Sequence, residues 1–292
     1  MKRWAFLLLA ICTLTGCIQR SERIQLNADG SGTLHVEAQI PAGAVATMEK
    51  LLTHVYEEIV GSDLELLNVL LQEQGMEPVT SLDQMGDAFG FSQASLEELC
   101  ERTQAELVDY VEETTEETAL ARFEIRFTSV GSLNEILSGI GDEKARIEIE
   151  RRDEAFALRR VDLMPSMEEL MGSLDEPEPD ADTQVEGLAE LNEKFENDPV
   201  VMGLMMEMMG SMMTTQDLEI VHTITVPGEV EDHNADSVEG RTATWTMGLA
   251  GLMEGAMGAG EEGTGSLDAL GERWVVFSAE GLDLPEVGAS GR

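Results

Sequence analysis

The residues best suited to chemistry lie in one run, Met202-Gly-Leu-Met-Met-Glu-Met-Met-Gly-Ser-Met-Met213, which holds seven of the chain's 17 methionines. On a helix, Met202, Met205, Met206, Met209, Met212 and Met213 recur at i, i+3, i+4, i+7, i+10 and i+11 and form one stripe, with Met208 off it. Thioethers are soft ligands, so the stripe admits Cu(I), although no histidine or cysteine lies within it. Methionine also repacks around varied partners, so the stripe admits a groove for a lipid or another apolar ligand, with these six residues as its lining. The default for an apolar stripe at this period is a core-facing helix. A second candidate, Asp232-His-Asn-Ala-Asp236, has spacing that could ligate calcium. Ser237 stands where the sharp turn needs glycine, however, and Ala243 where a bidentate glutamate is required, so a polar hairpin loop is expected and no metal site.

The bases are unevenly placed. Eight of the 18 fall in 122–160: Arg122, Arg126, Lys144, Arg146, Arg151, Arg152, Arg159 and Arg160. If their strands are neighbours, they form a basic strip. It would either pair across strands with the many glutamates or seat a phosphate or carboxylate headgroup. The favoured expectation is pairing. His35, His54, His222 and His233 are isolated in sequence, and His222 alternates with Ile220 and Ile224 as a buried sheet residue would. Nucleophile-elbow, zincin, phosphate-loop and dinucleotide signatures are missing, and carboxylates are too abundant for any pair to stand out. The expectation is a protein that is not an enzyme and uses no cofactor.

The N-terminus reads as an address. Met1-Lys2-Arg3 is a short positive region, and Trp4–Leu14 is an uncharged apolar run too short for a spanning helix of about 20 residues. The run ends in Leu14-Thr15-Gly16-Cys17, which resembles the lipobox of bacterial lipoproteins. That resemblance implies a signal peptide over 1–16 and Cys17 as the lipidated residue, carrying a thioether-linked diacylglyceryl group and acyl chains such as palmitate. A single acyl chain binds membranes only marginally, at about 10⁴ M⁻¹, whereas several anchor stably. Loss of Lys2 and Arg3 with the signal leaves 16 bases against 58 acids, a formal charge of −42. Such a body repels nucleic acid and anionic headgroups alike. The acyl chains must therefore hold it to a cell membrane or outer membrane, on the exported side. Cys12 departs with the signal, so Cys100 is a lone thiol and a disulfide scaffold is excluded.

Around these residues the elements alternate between strands and helices. Glu22–Asn27 and Thr33–Ile40 flank the turn Asp29-Gly30-Ser31-Gly32 and read as a hairpin. Residues 43–119 read as a helical insertion in which Leu51, Leu52, Val55, Ile59 and Val60 recur at helical spacing, with Ser95 as the cap of a later helix. Ala121–Ser129 reads as a strand, and Ala145–Glu150 with Glu154–Leu163 as a second hairpin. Asp175–Asp182 is an acidic, proline-broken linker. Val185–Phe195 and Val200–Met213 read as helices, Leu218–Val226, Val238–Met247 and Trp274–Ala279 as strands. Residues 248–266 read as mobile and 280–292 as a disordered tail. Hairpins separated by helical insertions predict one α+β domain over 17–279, built on an antiparallel sheet.

The lipobox, the hairpin Ile24-Gln-Leu-Asn-Ala-Asp-Gly-Ser-Gly-Thr-Leu34 and the late strands around Pro227-Gly228, Asn234 and Thr244-Trp245 together resemble the LppM-like domain of bacterial envelope lipoproteins. The matching parts are roughly 17–40 and 217–250. The resemblance implies an α/β domain with an apolar cavity that binds lipid or glycolipid. Members of that group can carry a membrane-spanning C-terminus, whereas the last residues here are polar. The functional expectation is a lipid-anchored envelope protein whose domain binds a lipid or apolar ligand. The alternative is a structural or assembly lipoprotein that scaffolds partner proteins through its helical insertion.

Overall fold

Alternation around the Asp29–Gly32 turn makes the first hairpin, β1 (Gln19–Leu26) and β2 (Gly32–Pro41). Gly30 takes φ +84°, which costs glycine least, and the Asp29 carboxylate accepts from the backbone N–H and hydroxyl of Ser31. A computed structural model of the chain describes residues 19–66, 68, 92–140, 145–161, 194–195, 197–214, 219–248, 272–282 and 284–285. The signal region, Cys17, the linker Asp175–Asp182, most of Val185–Phe195, nearly all of 248–266 and residues 286–292 lie outside them.

Eleven strands and four α-helices are found among the described residues. After β2 come α1 (Ala42–His54), a π-helical turn (Val55–Ile59) and α2 (Gln93–Thr103). Then follow β3 (Glu106–Thr114), β4 (Thr118–Phe127), α3 (Val130–Gly139), β5 (Arg146–Arg152) and β6 (Ala155–Val161). The rest are α4 (Pro199–Thr214), β7 (Glu219–Thr225), β8 (Val230–His233), β9 (Ser237–Glu239), β10 (Thr242–Gly248) and β11 (Glu272–Ser278). One sheet has the order β3-β4-β2-β1-β7-β10-β9, the other β5-β6-β11-β8.

The inward rows of both sheets share one core with α2 and α3. Leu34 and Val36 of β2, Phe123, Ile125 and Phe127 of β4, Ile147 and Ile149 of β5, and Val275 and Phe277 of β11 are all buried in it. Leu133, Ile136 and Leu137 of α3 and Leu96 and Leu99 of α2 close it. Burying an aliphatic or aromatic side chain of this size stabilises by about 1.5–3 kcal/mol, so the double row is the main source of stability.

The fold mixes helices and strands, but it differs from the sequence reading in seven places. The larger sheet is not wholly antiparallel, because β1 pairs in parallel with β7, Glu22 opposite His222 and Ile24 opposite Ile224. A parallel pair needs a long crossover, and no local pattern announces one. The helical insertion 43–119 stops short: Glu106–Thr114 is β3. A bulge between Leu107 and Asp109 interrupts its alternation and leaves Val108 exposed, so the period-2 signal is lost. Helix α3 arises where the sequence marks nothing, strand β8 takes in Asp232 and His233 of the expected loop, and the span 238–247 divides into β9 and β10. The cap of α2 is Ser92, whose hydroxyl accepts from Ser95 N–H at 3.1 Å, while Ser95 sits within the first turn. The start of the tail is not free: Leu284 is buried in the main core and Leu282 packs against it.

Candidate functional site

Two assemblies gather the residues capable of specific interaction. The first is the pair α1 and α4. Along α1 and the π-turn, Ala44, Thr47, Leu51, Val55, Ile59 and Val60 are buried. The π-turn inserts one residue, with Val60 N–H donating to Val55 C=O at 3.0 Å, and so turns Val55, Ile59 and Val60 to the same side. Against them α4 places Val201, Leu204 and Met205, forming a cluster separate from the main core.

The ends of this pair are fastened by charge. Asp198 precedes Pro199, the residue favoured at the first helical position. Its Oδ1 accepts from Val200 N–H at 2.7 Å and Val201 N–H at 3.2 Å, which makes it the cap of α4. Its Oδ2 meets His54 Nε2 at 3.2 Å. His54 lies in the last turn of α1 and Asp198 at the start of α4, so each sits where the helix dipole favours its charge. Burial raises the Asp198 carboxyl, but the His54 hydrogen bond, the two N–H donors and the His54 charge outweigh it and hold the group below its ordinary range. Lys194 Nζ donates to Ile59 C=O at 3.1 Å and to Glu58 C=O, satisfying carbonyls at the end of the π-turn.

The methionine stripe is divided by this packing. Met205 is 7% exposed and faces α1, whereas Met202 is 55% and Met206 68% exposed, with Val200 at 47%. The seam against α1 follows Val201, Leu204 and Met205, and the Met202–Met206 row lies beside it on the helix. Met209, Met212 and Met213 belong to α4, but their side chains are outside the described set. Across the seam, Thr47 Oγ1 lies 3.5 Å from Glu207 Oε1.

The second assembly is buried between the sheets. Glu22 on β1, His222 on β7, and Arg160 and Arg273 on β6 and β11 are all at least nine-tenths buried. Glu22 shares the inward parity of Ile24 and Leu26, and Arg160 that of Phe156 and Leu158. Arg160 grips the Glu22 carboxylate with both terminal guanidinium nitrogens, Nη2 at 3.2 Å from Oε2 and Nη1 on Oε1. Arg20 Nη2 adds a contact to Oε2 at 3.6 Å, and His222 Nδ1 lies 3.8 Å from Oε1. Arg273 stands directly opposite Arg160 across β6 and β11. This fork ties one sheet to the other. The sequence reading placed His222 on a sheet but did not find Glu22, Arg160 and Arg273 together. The available signal was charge at an inward parity.

The remaining candidates have structural roles. Asn234 Oδ1 accepts from Trp245 Nε1 at 2.9 Å and from Trp274 N–H at 2.8 Å, so the Asp232–Asp236 loop joins β10 to β11. No group of three or more His, Cys, Asp or Glu that could hold a metal is found among the described residues. The bases of 122–160 divide between the two sheets rather than forming one strip. Arg126 pairs with Glu106 directly across β3 and β4, and Arg122 lies 3.6 Å from Asp109. Arg146 meets Glu148 at 2.8 Å and Arg152 meets Glu150 at 2.9 Å, each pair along one face of β5. Arg151 lies over the Phe156 ring at 5.5 Å, and Lys144 is outside the described residues. Burial and the nearby Glu97 push the Cys100 thiol up, away from the reactive thiolate. No described helix is long and apolar enough to cross a membrane.

No protein-family model matches the chain, and no curated protein matches it. Among solved structures, the NMR structure of the folded domain of the Mycobacterium tuberculosis LppM protein is similar over 89% of this chain and 88% of that one. The TM-score is 0.35 and the sequence identity 9%. A likeness of that size does not define a common fold.

Proposed function

We propose that this is a non-enzymatic, lipid-anchored envelope protein whose α+β domain binds a lipid or another apolar ligand. The observation that carries the reading is the α1–α4 pair, a second apolar cluster apart from the main core with exposed Met202, Met206 and Val200 on one of its helices. Methionine suits contact with varied apolar partners because it is unbranched and polarizable. The lipobox-like Leu14-Thr15-Gly16-Cys17 supplies the anchor in this reading, and several acyl chains supply the adhesion that the acidic body lacks.

Two measurements test the two halves. Cys17→Ser should abolish acylation and move the protein out of the membrane fraction or leave it unprocessed. A Ser variant that matures and fractionates as before removes the anchor. Native mass spectrometry of the purified protein should reveal a co-purifying lipid besides the covalent one. Its consistent absence, together with co-purification of a stoichiometric protein, would favour the scaffolding role instead.

A further inference from the structure

We infer that the exposed face of α4 is a membrane-contact face, lying on an uncharged, zwitterionic bilayer surface beside the lipid anchor. This rests on the anchored reading above and adds a second, non-covalent point of contact.

Strand polarity places the parts. Gln19 is opposite Gln39 and Glu219, Pro41 is opposite Thr118, and Gly248 is opposite Glu219. The start of β1, the end of β2 and the start of β7 therefore lie at one end of the larger sheet. Helix α1 begins directly after Pro41, and Ala42 N–H is bonded to Glu117 C=O at that same end. Helix α4 leads into β7 through only four residues, 215–218. Cys17 precedes Gln19 by two residues, a reach of about 7 Å at most. An acyl anchor at Cys17 thus holds against the bilayer the end of the sheet from which α1 departs and to which α4 returns.

Charge selects the occupant. In a chain of 58 acids and 18 bases, the exposed described residues of α4 are Pro199, Val200, Met202, Gly203, Met206, Glu207 and Gly210. The only charge among them, Glu207, reaches toward Thr47 on α1. A Cβ at Gly203 or Gly210 would meet nothing within 4 Å, so the face is open as well as uncharged. An anionic surface would be repelled by the rest of the molecule. A zwitterionic surface is not subject to that repulsion, and exposed methionine and valine can enter the headgroup–acyl boundary, where apolar helix faces lie about 5–10 Å deep. Helix α4 has 16 residues, too few to span, so it lies on the surface.

The test uses the acylated, full-chain protein reconstituted in phosphatidylcholine vesicles carrying a doxyl-labelled lipid. Tryptophan is introduced as Met206→Trp, and as Val108→Trp on β3 for comparison, both at exposed positions. The signal from Trp245 and Trp274 is subtracted using the parent protein. Co-flotation reports the anchor and quenching reports the face. We expect both variants to float, with the added tryptophan at 206 quenched about threefold more than that at 108, as insertion to acyl depth requires. Flotation with equal or negligible quenching overturns the contact face and leaves the anchor standing. Failure to float overturns the anchor, and the proposal with it. Emission at 206 that is already shifted to the blue without vesicles, and unquenched with them, shows the face covered by protein and also overturns it. Met202→Trp repeats the measurement one helical turn away and must agree.

Discussion

At the scale of the residue, the Glu22–Arg160 fork sets the largest single-site sensitivity. Removing such groups from water costs several kcal/mol per ion, and only close two-pronged geometry with further partners offsets it. Glu22→Gln keeps the shape of the side chain but removes its charge, leaving the buried Arg160 against a neutral amide. The expected loss is about 3–5 kcal/mol of unfolding free energy, read as a lower urea midpoint. Adding Arg160→Met to that variant should recover part of the loss, because the uncompensated charge goes with it. Equal midpoints for wild type and Glu22→Gln would mean that the pair contributes nothing net. Glu22 shares parity with Ile24 and Leu26, so its inward position was legible in the sequence, whereas Arg160 counted there with the basic strip. Their meeting was not legible, because the two are 138 residues apart.

At the scale of the element, α4 depends on its cap. Asp198→Ala should cost about 1 kcal/mol through the lost N–H acceptor, whereas Asp198→Asn keeps an acceptor and removes the charge facing His54. The pH dependence has a definite sign. The Asp198 carboxyl is lowered in the folded protein from its ordinary value of 3.8, so its contribution is fully present above that value. It is lost as pH falls through the lower folded value. The stability difference between wild type and Asp198→Asn should therefore shrink toward zero in acid, below about pH 4. A difference that widens on acidification would contradict this origin. The same helix shows why periodicity alone misplaces side chains. Met202, Met205 and Met206 count as one stripe, yet α1 covers the line through Val201 and Met205 and leaves Met202 and Met206 uncovered.

At the scale of the whole molecule, the dominant fact is charge. A formal −40 on 292 residues opposes compaction by self-repulsion. Salt screens such repulsion within about 10 Å at 0.1 M, so the unfolding midpoint should climb from about 10 mM to about 500 mM NaCl. A midpoint indifferent to salt would count against self-repulsion, because pairs such as Arg126–Glu106 and Arg146–Glu148 are already subtracted in the net charge.

The sequence by itself determined most of the strands and their faces. Ile24 and Leu26, and Phe123, Ile125 and Phe127, alternate with polar neighbours, and alternation is a property of a few consecutive residues. It also determined the first hairpin, because a glycine able to take positive φ lies between two alternating runs. Only the tertiary structure decided that β1 lies parallel to β7, that the strands divide between two sheets, and that Leu284 returns to the core. The same holds for the fork of Arg160 on Glu22 and for the burial of Met205 beside exposed Met202 and Met206. These features join segments far apart in the chain. The partner of a strand, a charge or a helix face is chosen by which surfaces are buried together, and that choice leaves no period in the sequence.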